Sequence, residues 1–243
     1  MVNWKKRLYN SYVSTGQSHG KEPLKSLDDV YFDQIIKEKL PENKNIKIVD
    51  LACGTGKLLY SLKKHGYNNI LGVDISKEQI NIAHEFGLRD EARCEDLNIF
   101  LKETENGTFD VVFLMDVLEH FEKGQLMELL DNVSNIIKKD GILILHVPNA
   151  LGIFGMRVMY GDLTHEVAFT VKSLQQLLSV CNFKNIVCYE DTPVVVGLKS
   201  MIRLILWKFL TSYYRLLFKV EVGLHEKPIF SQNILATALK DIE

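Results

Sequence analysis

The sequence lacks the features that mark secreted, disulfide-bonded and membrane-spanning proteins. It has four cysteines, and no two of them form the CxxC pair that is typical of zinc-binding or redox motifs. No run of about 18 uncharged apolar residues occurs, so a spanning helix is not expected. The first residues, MVNWKKRLYNSYVSTG, contain no apolar core of the length that a signal peptide needs. We therefore expect reduced thiols and a cytoplasmic location.

The sequence also has little excess charge of either sign. Its formal net charge at pH 7 is −2, from 29 basic and 31 acidic residues. This balance gives no electrostatic reason to expect nucleic acid as a partner. Hydrophobic residues make up 47% of the 243 residues, which is ordinary for a globular protein with one large core.

Between residues 46 and 149, short apolar runs alternate with longer amphipathic ones. The runs typical of strands are IKIVDLA (46–52), NILGVDI (69–75), FDVVFLMD (109–116) and GILILHVP (141–148). Helical patterns cover residues 57–65, 77–86 and 123–139, and KKDG is typical of a stop at the end of the last one. The alternation predicts a doubly wound α/β fold with a mostly parallel sheet.

The segments on either side of this region differ from it in pattern. Residues 1–45 are a predicted N-terminal helical cap, with one helix over LDDVYFDQIIKEKL. Residues 46–192 are the predicted core, which includes an acceptor loop at 150–170. Residues 193–243 are a predicted helical extension that ends in a final strand.

The stretch IKIVDLACGTGKLL places two glycines in the turn after the first predicted strand. Asp50 ends the strand, and Gly54 and Gly56 precede a helix. Glycine permits positive φ and close approach of a ligand, and the helix N-terminus offers free N–H groups. A dinucleotide site would have a third glycine where Leu59 stands, which argues against pyrophosphate binding.

Acidic residues follow the next two predicted strands. Asp74 ends the second strand, where a carboxylate can accept hydrogen bonds from both hydroxyls of a ribose. Asp96 follows the expected end of a third strand and could meet an exocyclic amine. Ligands of open α/β sheets bind beyond the carboxyl ends of strands, so these residues predict one shared site.

The motifs DLACGTG, GVDIS, CEDL and FDVVFLMDVLEHF, in this order, resemble those of class I S-adenosylmethionine-dependent methyltransferases across residues 40–190. The resemblance implies a seven-stranded Rossmann-like sheet, with a helical segment before it and a helical extension after it. It also implies S-adenosylmethionine as cofactor, with its ribose on Asp74 and its adenine amine beside Asp96. The implied cofactor-binding residues are Asp50, Ala52, Gly54, Gly56, Asp74, Ile75, Asp96, Leu97 and Met115.

Methyl transfer from a sulfonium is a displacement whose leaving group needs no protonation. The protein must align the acceptor and, where the acceptor is a hydroxyl, remove its proton. MDVLEHF supplies His120, for which a catalytic role and a role in capping or packing its helix both remain open. His146 lies among aliphatic residues, which is typical of a satisfied core histidine.

The stretch GDLTHEVAFT falls where a lid over the acceptor is expected. Thr170 fits a helix N-cap, which leaves His165 unexplained. We predict His165 as the general base, with Asp162 or Glu166 orienting its ring. The candidate catalytic residues are His165, His120 and Glu166. These side-chain types can also ligate a metal, but the local cluster lacks a third convincing site, so metal binding is a minor alternative and no metal ligands are assigned.

The loop also narrows the resemblance. The pattern YGDxTHExxFT, followed by a helix and by SQNILATALK, is similar to a bacterial subfamily associated with surface-polysaccharide and O-antigen clusters. That resemblance implies a small-molecule or glycan acceptor, namely a sugar or sugar-phosphate hydroxyl. The ubiquinone-biosynthesis O-methyltransferases also carry LEHF, so a quinone or lipid-like ring hydroxyl is the alternative. A non-catalytic cofactor-binding module is the third possibility.

Residues 192–220 contain five basic residues and no acid. Lys208, Arg215 and Lys219 follow helical spacing, and the rest of the helix surface is mostly apolar. Such a helix packs on its own domain, forms a homodimer contact, or makes a weak membrane-surface contact through 199–219. We expect it to cover protein rather than lipid, because the hydroxyls of Tyr213 and Tyr214 need partners when buried.

Overall fold

The structure of the protein is a computed structural model that describes residues 3–17, 27–223 and 227–241. Residues 18–26 of the predicted cap and 224–226 of the predicted extension therefore lie outside the described residues, as do 1–2 and 242–243. The strands are β1 (Ile48–Leu51), β2 (Ile70–Asp74), β3 (Ala92–Cys94), β4 (Phe109–Met115), β5 (Ile137–Pro148), β6 (Phe183–Glu190) and β7 (Asn233–Lys240). The helices are α1 (Asn3–Tyr9), α2 (Leu27–Lys39), α3 (Lys57–Lys64), α4 (Lys77–Glu85), α5 (Leu97–Glu103), α6 (Lys123–Ile136), α7 (Gly155–Met159), α8 (Val171–Val180) and α9 (Leu198–Val222).

One sheet joins all seven strands in the order β3-β2-β1-β4-β5-β7-β6. The first five strands run parallel, while β7 pairs antiparallel with both β5 and β6. The predicted doubly wound, mostly parallel sheet is thus confirmed. From β1 the chain adds β2 and β3 on one side of the sheet, and then β4 and β5 on the other side. The carboxyl ends of β1 and β4 therefore flank the crevice where such folds bind ligands.

The central strands are apolar because both faces of the sheet are covered. All four residues of β1 are buried. One buried cluster packs α6 and α8 against the sheet, and a second packs α2 and α3 against the opposite face. The capping interaction predicted for Thr170 is confirmed, since its hydroxyl accepts a hydrogen bond from the Ser173 N–H at 3.1 Å.

The predicted stop of α6 at KKDG is wrong. The helix ends at Ile136, and β5 begins at Ile137, four residues before Gly141. Ile137 is fully buried and pairs with Phe109 of β4, so sheet packing outweighs the helical pattern of this segment. Asp140 adopts a left-handed φ of 56° before the glycine, inside the strand rather than at a helix end.

The expectation that α9 covers protein stays a prediction, and in the single chain most of this helix is exposed. Among its described residues only Thr211 is buried, and Tyr213 is 57% exposed. One side of the helix does touch the sheet, because Phe218 packs against Phe230 with ring centroids 6.0 Å apart. Within the described residues, no helix has the length and apolarity that crossing a membrane requires.

Candidate functional site

A cleft of about 700 Å³ opens at the carboxyl ends of β1, β2 and β4. This volume lies in the range of sites for small molecules. The turns after these three strands form one wall. Residues of α1 and of the segment 157–165, which begins in α7, form the other wall, so the predicted acceptor loop lies across the cleft from the predicted cofactor turn.

The turn after β1 has the backbone that its glycines predicted. Gly54 and Gly56 have left-handed φ values of 56° and 78°, and Ala52 shares this region at 63°. Ala52 and Gly54 line the cleft. Gly56 is not among the lining residues, because its face is packed: a Cβ there would lie 2.6 Å from Cδ1 of Leu88. Its role is to let the turn approach the end of α4.

Asp74 is buried at the end of β2 and faces the cleft. Its Oδ2 accepts a hydrogen bond from the Gly54 N–H at 2.9 Å, and its Oδ1 accepts one from the Ser76 N–H at 2.7 Å. Burial raises the pKa of Asp74, and the two N–H donors oppose that rise. Each carboxylate oxygen keeps a lone pair, so the fixed carboxylate suits the two hydroxyls of a ribose.

Asp50 lies below the turn rather than in the cleft wall. It is 2% exposed, and its Oδ1 has no hydrogen-bond partner among the described residues. Burial, and then the nearby Asp74 carboxylate, raise the pKa of Asp50 to about 8. Its side chain does not line the cleft, and its role in cofactor binding stays a prediction.

The remaining predicted cofactor residues line the same cleft. They are Ile75, Asp96, Leu97 and Met115. Asp96 is the N-cap of α5 and accepts a hydrogen bond from the Asn98 N–H at 2.9 Å, which fixes its carboxylate at the edge of the site. Apolar side chains beside one fixed carboxylate suit the face and edge of a purine ring.

His120 and His165 meet at the other end of the cleft. His120 ends a short 3-10 helix at Leu118–His120, directly after β4. The acceptor loop is tied to this helix because the Glu166 N–H donates to the carbonyl of Glu119 at 2.6 Å. The two imidazole rings pack edge to face with centroids 4.7 Å apart, and both line the cleft.

Hydrogen bonds fix the orientation of both rings. His165 Nδ1 lies 3.1 Å from the carbonyl of Val158, which can only accept, so this nitrogen carries a proton. His120 Nδ1 lies 2.8 Å from the hydroxyl of Thr164, which donates in turn to Asp162 at 2.7 Å. The predicted carboxylate partner of His165 is thus wrong, since a backbone carbonyl holds the ring.

Glu166 does not line the cleft. Its carboxylate pairs with Lys5 of α1 at 2.7 Å, and the same ammonium donates to the carbonyl of His120 at 2.8 Å. This arrangement anchors α1 over the site. Among the predicted catalytic residues, the structure therefore brings together His120 and His165 and leaves Glu166 outside the cleft.

Glu119 takes the place in the cleft that was predicted for Glu166. It is 1% exposed, it lines the cleft, and neither of its carboxylate oxygens has a partner among the described residues. Burial, and then the nearby Asp116 carboxylate, raise the pKa of Glu119 well above its usual value. The motif LEHF contains this residue, but its sequence position alone did not show which way the side chain points.

Two tyrosines of the N-terminal segment were also missed by the sequence analysis. Tyr12 donates to Asp162 Oδ2 at 2.5 Å, and the ring of Tyr9 packs edge to face on His120 with centroids 6.1 Å apart. Burial raises the pKa of Tyr9 to about 12, so its hydroxyl stays protonated. Tyr9 ends α1 and Tyr12 lies in the turn that follows, so no helical pattern in the sequence pointed to either residue.

His146 is the buried, satisfied histidine that its apolar surroundings predicted. Its Nδ1 lies 2.6 Å from Asp116 and its Nε2 lies 3.4 Å from Asp191. Burial opposes a charge on the ring, but the pairing with Asp116 outweighs it and raises the pKa of His146 well above its usual value. The pair fixes Asp116, whose left-handed φ of 55° turns the chain into the cleft after β4.

This ion pair predicts a pH dependence of stability. Because the folded-state pKa of His146 is raised above 6.5, its stabilising effect is complete below pH 6.5 and disappears as pH rises through the raised value. Between the two values the wild type should lose about 1.4 kcal/mol of unfolding free energy per pH unit relative to His146→Gln. Urea unfolding from about pH 6 to 9 measures both slopes. Parallel slopes for the two proteins would show that His146 is neutral in the folded state.

A seven-stranded sheet of this order, with a glycine turn after β1 and a fixed acid after β2, defines the chain as a class I S-adenosylmethionine-dependent methyltransferase. The chain belongs to the methyltransferase-domain family, whose sequence profile matches residues 26–187. The residues in the cleft fit this cofactor, since Asp74 is held for a ribose and Gly54 leaves the backbone open to a ligand.

Known proteins agree with this assignment. The chain is 29% identical over 132 residues to the ubiquinone biosynthesis O-methyltransferase of Coxiella burnetii, and the match covers 53% of each chain. It thus spans about half the length of the curated relatives it matches.

A methyltransferase structure from Archaeoglobus fulgidus superimposes with a TM-score of 0.64 at 19% identity, covering 87% of this chain and 94% of that one. A phosphoethanolamine N-methyltransferase of Haemonchus contortus, in complex with S-adenosylhomocysteine, gives 0.58 at 14% identity, covering 88% and 53%.

Proposed function

We propose that the chain transfers a methyl group from S-adenosylmethionine to a ring hydroxyl of an apolar, quinone-like acceptor at a membrane surface. The outward face of α9 is the observation that carries this proposal, and the names of the relatives support it. The loop pattern at 160–170 favours a sugar hydroxyl instead. None of the relatives described above is named for a glycan, so the ring hydroxyl is the better supported acceptor.

The outward face of α9 is a continuous apolar stripe. It consists of Leu198, Ile202, Ile205, Phe209, Tyr213, Leu216 and Val220, which follow one another at spacings of three or four and are 49–80% exposed. A helix of this length runs about 37 Å. Exposed apolar surface of this extent is unusual for a protein that meets only water.

Basic residues border the stripe on both sides. By helical spacing, Lys199 and Arg203 lie along one edge, and Lys208 and Lys219 lie along the other; all four are exposed. A second copy docked on this face would bring like charges together, whereas anionic lipid headgroups would neutralise them. An apolar face between basic edges is the arrangement of a helix that lies in a membrane interface. We therefore propose that anionic lipid, rather than a second copy, covers α9.

Vesicle flotation tests this surface. The wild type should float with vesicles of anionic lipid and be released by salt, because each basic side chain near such a surface contributes about 1 kcal/mol. Phe209→Asp and the double variant Lys208→Glu/Lys219→Glu should both float less. Lys123→Glu/Lys139→Glu, on the exposed surface of α6 and β5, is the matched control. Equal flotation of all four proteins, or a concentration-dependent dimer without flotation, would rule out lipid on α9.

The acceptor hydroxyl loses its proton at the end of the cleft that holds His120 and His165. When bound, S-adenosylmethionine supplies an electrophilic methyl group on a sulfonium. The chain holds both imidazoles with Nδ1 donating, so each Nε2 offers a lone pair toward the acceptor. Tyr9 of α1 and Tyr12 in the turn after it line this end of the cleft beside the two imidazoles.

An acceptor panel tests the reaction. Labelled S-adenosylmethionine is incubated with ring-hydroxyl compounds that carry an apolar tail, with sugar nucleotides and with sugar phosphates. We expect label on an oxygen of the ring compounds. Label on the sugars alone would establish the glycan acceptor instead, and cofactor binding without transfer to any compound would favour a binding module.

A further inference from the structure

We propose that Glu119, His120 and His165 bind one divalent transition-metal ion at the acceptor end of the cleft. The three side chains each offer a ligand atom, and these atoms all lie within 4.8 Å of one another. Ligand atoms around a zinc ion with bonds of about 2.0–2.1 Å lie roughly 3.3 Å apart, so small side-chain rotations would close the site. The sequence left metal binding as a minor alternative, because the local group of Asp162, His165 and Glu166 lacks a third convincing site.

The carboxylate of Glu119 is the second observation that points to a cation. The side chain is 1% exposed, and both oxygens lack a hydrogen-bond partner among the described residues. A buried carboxylate without a partner is costly, and a bound cation removes that cost. Glu119 also lines the cleft beside both imidazoles, so a shared ion would satisfy all three groups.

The imidazoles are already held as metal ligands usually are. In both rings Nδ1 is bound by a neighbouring oxygen, from Thr164 for His120 and from Val158 for His165. Such contacts fix the tautomer and leave Nε2 with its lone pair. Thr164 is fixed in turn by Asp162, so a supporting set of hydrogen bonds surrounds the two ligands.

The charges around the cluster favour a cation. Asp116 is compensated by His146, and Asp162 accepts from Tyr12 and Thr164, which leaves Glu119 as the uncompensated acid. The ammonium of Lys5 also lines the cleft. It is held by Glu166 and by the carbonyl of His120, and it does not bind the Glu119 carboxylate.

The donor set indicates which metal fits. Two imidazole nitrogens and one carboxylate suit zinc, manganese, iron or cobalt, whereas magnesium and calcium prefer oxygen ligands. Three protein ligands leave at least one coordination position open. On the basis of the proposed function, that position would hold the acceptor oxygen and lower the pKa of its hydroxyl. The two histidines would then act as ligands, and the acceptor would lose its proton to solvent or to a neighbouring group.

Cobalt(II) is the direct probe. The metal-free full chain is titrated with Co²⁺, followed by its visible absorption, and Zn²⁺ is then added as competitor. We expect one equivalent to bind, with the intense bands of a low-coordinate site. Glu119→Gln and His165→Asn should each weaken binding by at least about 10–100-fold. His65→Asn and Glu128→Gln, which lie outside the cleft, should bind as the wild type does, and circular dichroism checks that every variant folds.

The outcomes are distinct. If Co²⁺ does not bind with one equivalent, the proposal is overturned. It is also overturned if the wild type and both ligand variants bind equally, because the metal would then lie elsewhere, for example at the exposed Cys94. Neither donor nor acceptor is present in the titration, so its result does not depend on the proposed reaction. A failure of methyl transfer with Co²⁺ binding intact would refute the proposed function and leave the metal site standing.

Discussion

Turnover of the His165→Ala variant is expected to fall about 10²–10⁴-fold, while its affinity for S-adenosylmethionine stays near that of the wild type. The ring of His165 lies at the acceptor end of the cleft and packs on His120, away from the carboxylate of Asp74 that is expected to hold the ribose. Loss of the ring removes either a base or a metal ligand, and both roles act on the acceptor hydroxyl. Steady-state kinetics and calorimetry with the cofactor separate the two effects.

The conservative variant and a matched control sharpen this prediction. His165→Asn keeps a polar side chain on the loop but removes the second ring nitrogen. It should be nearly as inactive as His165→Ala. His65→Ala removes a histidine that pairs with Asp33 outside the cleft, so it should keep wild-type turnover. Activity retained by His165→Asn would mean that His165 only positions the loop, and His120 would become the candidate base.

Affinity for both S-adenosylmethionine and S-adenosylhomocysteine is expected to fall in Asp74→Ala. A buried carboxylate that receives two hydrogen bonds from a ribose contributes about 1.5–3 kcal/mol, which corresponds to roughly 10–150-fold in the dissociation constant. Asp74 is fixed for this role by the N–H groups of Gly54 and Ser76. Isothermal calorimetry measures both ligands.

Two controls accompany this variant. Asp74→Asn keeps the shape of the side chain and tests how much of the loss comes from charge. Asp90→Ala removes an exposed acid after α4 and should bind as the wild type does. Affinity unchanged in Asp74→Ala would remove this residue from the cofactor site, and with it the basis for the orientation of the cofactor in the cleft.

The sequence predicted where Asp74 and Gly54 lie in the cleft, because local backbone sets their positions. Asp74 ends a strand, Gly54 lies in the turn that follows another, and the parallel sheet brings these ends together without any long-range contact being known. Asp50 in β1 and Gly56 in the turn that follows do not line the cleft. Residue spacing gives the position of a side chain along the turn, and packing decides its direction.

The acceptor end was less predictable, because distant segments build it. Glu166 was the predicted acid, but its carboxylate pairs with Lys5, whereas the side chain of Glu119 lines the cleft. Tyr12 reaches Asp162 across a sequence separation of 150 residues, which no local pattern could show. What covers α9 could not be predicted either, since an apolar stripe does not reveal whether it packs inward or faces a partner.

A crystal structure of the chain with S-adenosylhomocysteine tests the central claim most directly. We expect the ribose hydroxyls to bind Asp74 and the adenine to lie between Ile75 and Leu97. We expect the sulfur to be directed at His120 and His165. Another cavity lies between α9 and the residues that follow β6. Binding of the nucleoside there would contradict this expectation. So would a sulfur that points away from the two histidines.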